Sequence, residues 1–96
     1  MSDKVLNDIK LETKILILES LNIDDIEPGE IINDVSLLSG ENTLTIDSID
    51  VLEVVVAIQR KFNVNIRDQN HARLIVNTVD TIAEFIRSQT NDEELS

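Results

Sequence analysis

The sequence contains no cysteine, tryptophan or tyrosine, and only one histidine, one proline and two glycines among its 96 residues. Without cysteine there is no disulfide framework, no thiolate nucleophile and no Cys-ligated zinc or iron–sulfur centre. His71 alone excludes a histidine-rich metal site. A Ser–His–Asp triad is formally available, but no Gly-rich elbow presents a serine for it. Phe62 and Phe85 are the only aromatic residues, so the core must be aliphatic. The longest unbroken apolar run, Val54 to Ile58, falls far short of the roughly 20 residues that span a bilayer. The start of the chain carries Asp3 and Asp8 and no apolar secretory segment, so a cytoplasmic protein is expected.

Bases are scarce as well. Lys plus Arg number 8 against 19 Asp plus Glu, a net charge of −11. That charge repels nucleic acid and anionic membranes, both of which bind through Lys and Arg, and it steers the molecule towards basic partners. It is unevenly spread. Residues 1–50 hold 12 acids and 3 bases (−9), and residues 51–96 hold 7 acids and 5 bases (−2). No base lies between Lys14 and Arg60. A solvated acidic surface and a docking face for basic partners both fit this stretch. A calcium loop does not: counted from Asp24, Pro28 falls on a ligand position and Val35 where a bidentate Glu is required.

A 42% hydrophobic content supports one small packed domain, taken as residues 1–87, with a polar, disordered tail at 88–96. A first helix is predicted from about Asp3 to Leu21, with Leu6, Ile9, Leu16, Ile17 and Leu21 near helical spacing. Residues 22–46 lack periodicity and read as a long connection, ordered by Ile26, Ile31, Ile32, Val35, Leu37, Leu38 and Leu44. A second helix runs from near Ser48 to about Asn63, on Val51, Val55, Ile58 and Phe62, with acids early and Arg60 and Lys61 late, as the helix dipole favours. The run Val54-Val55-Val56 alone would also suit a strand. Asp68 to Leu74 reads as a short helix, with His71 on its surface or in a pH-sensitive contact to it. A last helix begins near Thr78 and ends near Arg87. The expected fold is all-α: three main helices, one short helix and a long first connection.

Within this plan Leu44-Thr45-Ile46-Asp47-Ser48-Ile49-Asp50 stands out. A serine at the mouth of a helix is an ordinary N-cap. It is also a place where an exposed hydroxyl meets free backbone N–H groups and the positive helix end, so a covalently attached phosphate is accommodated there. Asp47 and Asp50 oppose reversible anion binding at the same spot.

Asp47-Ser48-Ile49-Asp50 is similar to the Asp-Ser-Leu-Asp signature of acyl carrier proteins. The resemblance continues through Val51-Leu52-Glu53-Val54-Val55-Val56-Ala57-Ile58 and Phe62-Asn63-Val64-Asn65-Ile66, and resumes at Thr78-Val79 and Ile82-Ala83-Glu84-Phe85-Ile86. It implies a four-helix carrier domain that catalyses nothing itself and is a monomer. It implies that Ser48 receives 4′-phosphopantetheine from coenzyme A through a phosphopantetheinyl transferase, and that the arm's thiol carries acyl groups as thioesters for a fatty-acid, lipid or polyketide-like pathway. It implies that Asp47, Ile49, Asp50, Glu53 and Val56 dock partner enzymes, acyl-transfer enzymes and ketosynthases with basic surfaces among them. Val54, Val55, Ile58 and Phe62 match the family's core, where an acyl chain is also sheltered. Neither nucleic-acid binding nor membrane insertion follows from it, and no metal. A small acidic helical adaptor without a prosthetic group, and a peptidyl or aminoacyl carrier, remain alternatives.

The sequence departs from the family pattern in three places. Thr45 stands where a Gly-x-Asp-Ser pattern has glycine. The segments Leu37 to Leu44 and Arg67 to Val79, the latter with Arg73, are longer than in ordinary fatty-acid carriers. Gln59-Arg60-Lys61 ends the second helix on bases rather than acids. Together these resemble specialised bacterial carriers of dedicated lipid or polyketide-like pathways. They bear on which enzymes dock, not on Ser48.

Overall fold

A computed structural model describes residues 2–95, with side chains described from Val5 to Thr90. The described backbone holds four α-helices and no strand: α1 Ser2–Ser20, α2 Ser48–Phe62, α3 Gln69–Ile75 and α4 Val79–Leu95. The all-helical expectation is met, and Val54-Val55-Val56 lies within α2. The strand alternative fails because the apolar residues around this run recur with the helical period rather than alternating.

The core is aliphatic. Ile17 of α1, Val54 and Ile58 of α2, and Val79, Ile82 and Ile86 of α4 are fully enclosed. Each such side chain contributes about 1.5–3 kcal/mol of hydrophobic stabilisation. α1 packs chiefly on α4 and also on α2, while the two-turn α3 bridges α2 and α4. An ion pair between Lys10 Nζ and Asp80 Oδ1 (2.9 Å) ties α1 to α4. That oxygen is enclosed but accepts no well-aligned hydrogen bond, so the contact is coulombic rather than directional. Close by, burial and the neighbouring Lys10 charge hold the Lys14 pKa below its ordinary value, an effect Asp80 partly offsets.

The long connection is irregular apart from one 3₁₀ turn at Pro28–Glu30. Ile31, Leu37, Leu44 and Ile46 anchor it in the core; Ile26 and Val35 are half-buried, and Ile32 and Leu38 face solvent. Its interior polar clamp is Asn42, which is 7% exposed. Asn42 Nδ2 donates to the carbonyls of Ile32 (2.8 Å) and Val35 (2.9 Å). Its Oδ1 accepts from the amides of Ile32 (2.9 Å) and Thr43 (2.8 Å). Both donors and both lone-pair positions are therefore used. The loop is also tied to the turn before α4, where the Leu37 amide donates to the Asn77 carbonyl at 2.7 Å and the Asp80 amide to the Asn33 carbonyl at 3.0 Å. The Ile46 amide then donates to the Leu37 carbonyl (2.9 Å), which fixes the approach to α2. Gly40 adopts φ +86°, a left-handed turn that glycine supplies at low cost.

The last helix continues past Arg87 to Leu95, so the stretch expected as a disordered tail is helical from Ser88 to Leu95; Ser96 lies outside the described residues. No Gly or Pro interrupts the chain after Arg87. Ser88 Oγ and Thr90 Oγ1 donate back to the carbonyls of Phe85 (2.9 Å) and Ile86 (3.1 Å), bonds that fit a continuing helix. At its start, Thr78 Oγ1 accepts from the Thr81 amide (2.9 Å), the cap anticipated at Thr78.

Candidate functional site

α2 begins with a reciprocal cap. Asp47 has extended backbone dihedrals (φ −107°, ψ −175°), and its Oδ1 accepts from the Asp50 amide at 2.9 Å. Asp50 Oδ2 in turn accepts from the Asp47 amide at 3.2 Å. Two amides that the first helical turn leaves without intrahelical partners are thereby satisfied. The N-cap is therefore Asp47 rather than Ser48. Ser48 takes the first helical position, where its side chain is exposed and its hydroxyl plays no part in the cap. The ordinary structural use of a serine at a helix mouth is thus already filled by its neighbour.

Thr45, where the family pattern has glycine, is exposed. Among the described non-glycine residues, positive φ occurs at Asn22 and Asn63. The backbone at Thr45 thus adopts a conformation open to any residue, and no glycine is required there.

The other singled-out residues fall into two groups. Asp47, Ile49, Glu53 and Val56 are exposed and Asp50 is half-buried. Ile49, Glu53 and Val56 follow one another at spacings of four and three, so they share a helix face. Ile49 is 72% exposed and Val56 46%, large values for β-branched apolar residues. Val54, Val55 and Ile58 turn the other way into the core, and Phe62 is half-buried against it.

Two concave surfaces adjoin this helix. An open groove between α1 and α2 is lined by Leu16 and Glu19 from α1 and Leu52, Glu53, Val56 and Ala57 from α2, with Arg60 and Lys61 at its far end. Beyond that end, Lys61 Nζ lies 3.6 Å from Glu12 Oε1. The second surface is a cleft of about 130 Å³ beside Ser48, walled by Ser48, Ile49 and Leu52 on one side and by Gln69, Ala72 and Arg73 of α3 on the other. α3 is held in place by its buried Ala72 and Ile75 and by a cap bond from the His71 amide to Asp68 Oδ1 (2.8 Å). The His71 ring is half-buried, meets the Phe85 ring edge-on at 5.7 Å, and accepts from the Arg67 amide at 3.4 Å through Nδ1. It is a packing residue of α3 rather than a free surface group.

Sequence reasoning did not anticipate the groove, which needs α1 alongside. It also missed Gln69 and Arg73 as neighbours of Ser48. They lie more than 20 residues away along the chain, and no local pattern connects them.

An exposed hydroxyl at a helix start, relieved of capping and opening on a small cleft, suits covalent attachment of a group that must project into solvent. A phosphate linked there would meet one cationic side chain, Arg73, and the amide of Gln69, a donor set that fits it. Among the described residues no group of three or more His, Asp or Glu side chains is placed to hold a metal ion. No described helix is long and apolar enough to cross a membrane.

No protein-family model matches the chain. Individual proteins do. An acyl carrier protein of Buchnera aphidicola subsp. Schizaphis graminum is 30% identical over 84 residues, which cover 88% of this chain and 96% of that protein. One from Buchnera aphidicola subsp. Acyrthosiphon pisum is also 30% identical over 84 residues, covering 95% of its own length. One from Karelsulcia muelleri is 28% identical over 89 residues, covering 93% of this chain and 98% of that protein.

Proposed function

The chain belongs to the acyl carrier protein family, and from that membership we propose that Ser48 is the attachment point of a 4′-phosphopantetheine arm. The protein is a carrier, not an enzyme. The observation that bears most weight is the cap. Asp47 and Asp50 close the start of α2 between themselves, which leaves the Ser48 hydroxyl exposed and unengaged. On attachment the Ser48 oxygen attacks the phosphorus of coenzyme A that bears the pantetheine, the pyrophosphate P–O bond breaks, adenosine 3′,5′-bisphosphate leaves and the hydroxyl proton passes to solvent, so that the serine oxygen becomes an ester oxygen of the linking phosphodiester. The arm supplies a terminal thiol that holds acyl groups as thioesters. The absence of cysteine from the chain suits this reading, because no second thiol competes for the cargo.

The residues around Ser48 serve recognition in this reading. Asp47, Asp50 and Glu53 present negative charge to a phosphopantetheinyl transferase and to acyl-transfer and ketosynthase-type enzymes with basic surfaces, which speeds encounter and fixes orientation. Ile49 and Val56 add apolar contact, favoured by their exposure. Val54, Val55, Ile58 and Phe62 line the interior that an acyl chain would enter. The carrier unit extends through α4, beyond the boundary expected at residue 87. The carrier serves enzymes of a fatty-acid, lipid or polyketide-like pathway, and the cationic end of α2, Arg60 and Lys61, bears on which of them dock.

Intact mass spectrometry tests the assignment after incubation with coenzyme A, Mg²⁺ and a broad-specificity transferase. The wild-type chain gains the mass of one phosphopantetheine and Ser48→Ala gains none. An unchanged wild-type mass, or an equal gain in Ser48→Ala, refutes attachment at Ser48.

A further inference from the structure

The fold brings a base to Ser48 that the local sequence withholds. Along the chain the nearest base to Ser48 is Arg60, and its immediate neighbours include the carboxylates of Asp47 and Asp50. In space, Arg73 of α3 lies across the small cleft from Ser48, with Gln69 beside it. Among the described residues Arg73 makes no ion pair; those that form engage Lys10 and Lys61. Arg73 is also exposed, so pairing it with an anion requires little loss of hydration.

We propose that Arg73 is a positioning residue for the prosthetic arm. Its guanidinium pairs with the phosphodiester that joins the arm to Ser48, and so holds the root of the arm in the cleft between α2 and α3. This rests on the reading of Ser48 as the attachment point. A phosphodiester carries one negative charge on two free oxygens, and the planar guanidinium presents paired N–H donors that match two such oxygens. Without Arg73 the same charge has no cationic side chain beside it, and Asp47 and Asp50 repel it. Gln69 adds a neutral amide donor from the first turn of α3. The contact would link the arm to a helix of seven residues, so that the direction in which the arm leaves Ser48 depends on where α3 sits.

The ordinary use of an arginine in the last turn of a helix is to offset the helix dipole. That role is already exercised before any arm is attached, and this difference separates the two. Wild type, Arg73→Gln and Arg73→Lys are each prepared without and with the arm, loading is verified by intact mass, and the holo proteins are compared by ³¹P NMR. In the wild type the phosphodiester resonance shifts as salt is raised from low concentration to roughly 0.5 M, where exposed ion pairs are screened. In Arg73→Gln the resonance is insensitive to salt and lies at the wild type's high-salt position, and Arg73→Lys restores part of the shift. Melting temperature gives the second readout: attachment raises it more in the wild type than in Arg73→Gln, while the two unloaded proteins melt together. Indistinguishable ³¹P behaviour in the three loaded proteins overturns the proposal and leaves attachment at Ser48 intact. So does an equal loss of melting temperature with and without the arm. Failure of the wild type to load overturns both.

Discussion

The α1–α4 side of the molecule and the Ser48 end use their side chains in opposite ways. On the first, Ile17, Val79, Ile82 and Ile86 are wholly enclosed, and Lys10 reaches across to Asp80. At the second, local order is maintained by backbone-directed bonds, the Asp47–Asp50 cap and the Asp68 cap of α3, while Ile49, Leu52, Val56 and Leu74 point into solvent. The contrast teaches that most of the stability and most of the recognition are stored in separate residues, with Asp47 and Asp50 serving both. A large change on the first side should unfold the protein without touching the chemistry. A change at the second should alter recognition in a molecule that still folds.

The severest test of that division is Ile82→Ala. It should cost about 2–5 kcal/mol in urea unfolding, because it leaves a cavity at a fully enclosed position of α4, yet the fraction still folded should accept the arm on Ser48. If that folded fraction loads poorly, the two regions are coupled. Next in size, Glu53→Lys should weaken transferase binding by roughly 1–3 kcal/mol at low salt, measured by calorimetry, with little change in melting temperature. Unaltered binding would remove this face of α2 from the recognition surface. A third comparison dissects the helix mouth. Asp47→Ala should destabilise the fold by about 1 kcal/mol through loss of the cap, whereas Ser48→Ala should stay within about 0.5 kcal/mol of the wild type. A reversed order would mean that Ser48 shares in capping after all.

The least effect is expected at Lys14. Its pKa is lower folded than unfolded, so at pH values between the two the unfolded chain binds more protons. The burial penalty is complete below the lowered folded pKa and disappears as pH rises towards the ordinary lysine value of 10.5. The wild type should therefore gain stability relative to Lys14→Gln as pH rises through the alkaline range towards that value, as read by urea midpoints. A flat difference would place Lys14 in water.

What the sequence disclosed follows the same division. Val51, Val55 and Ile58 recur with helical spacing because one face of α2 is buried, so periodicity, together with acids early and bases late, identified that helix. Thr78 was recognisable as a cap because capping is a local interaction. The exchange of roles between Asp47 and Ser48 was less legible: both residue types make good caps and they are adjacent. Only the acid three residues after Asp47 distinguishes them, and it does so through the capping-box spacing. The continuation of α4 was hidden because a polar helix without an apolar stripe gives no periodic signal. Arg73 was hidden for a different reason, since its place beside Ser48 depends on how α3 packs rather than on any neighbouring residue.

Asn42 carries a consequence for how such a molecule can diversify. All four of its hydrogen bonds end on backbone atoms, of Ile32, Val35 and Thr43. The path of the loop leading to α2 is therefore indifferent to the identity of most side chains along it. Exposed positions such as Asp34, Glu41 and Thr45 are free to drift under selection for new partners while the serine stays where it is. One invariant amide would permit a family of differently decorated surfaces around an unchanged point of attachment.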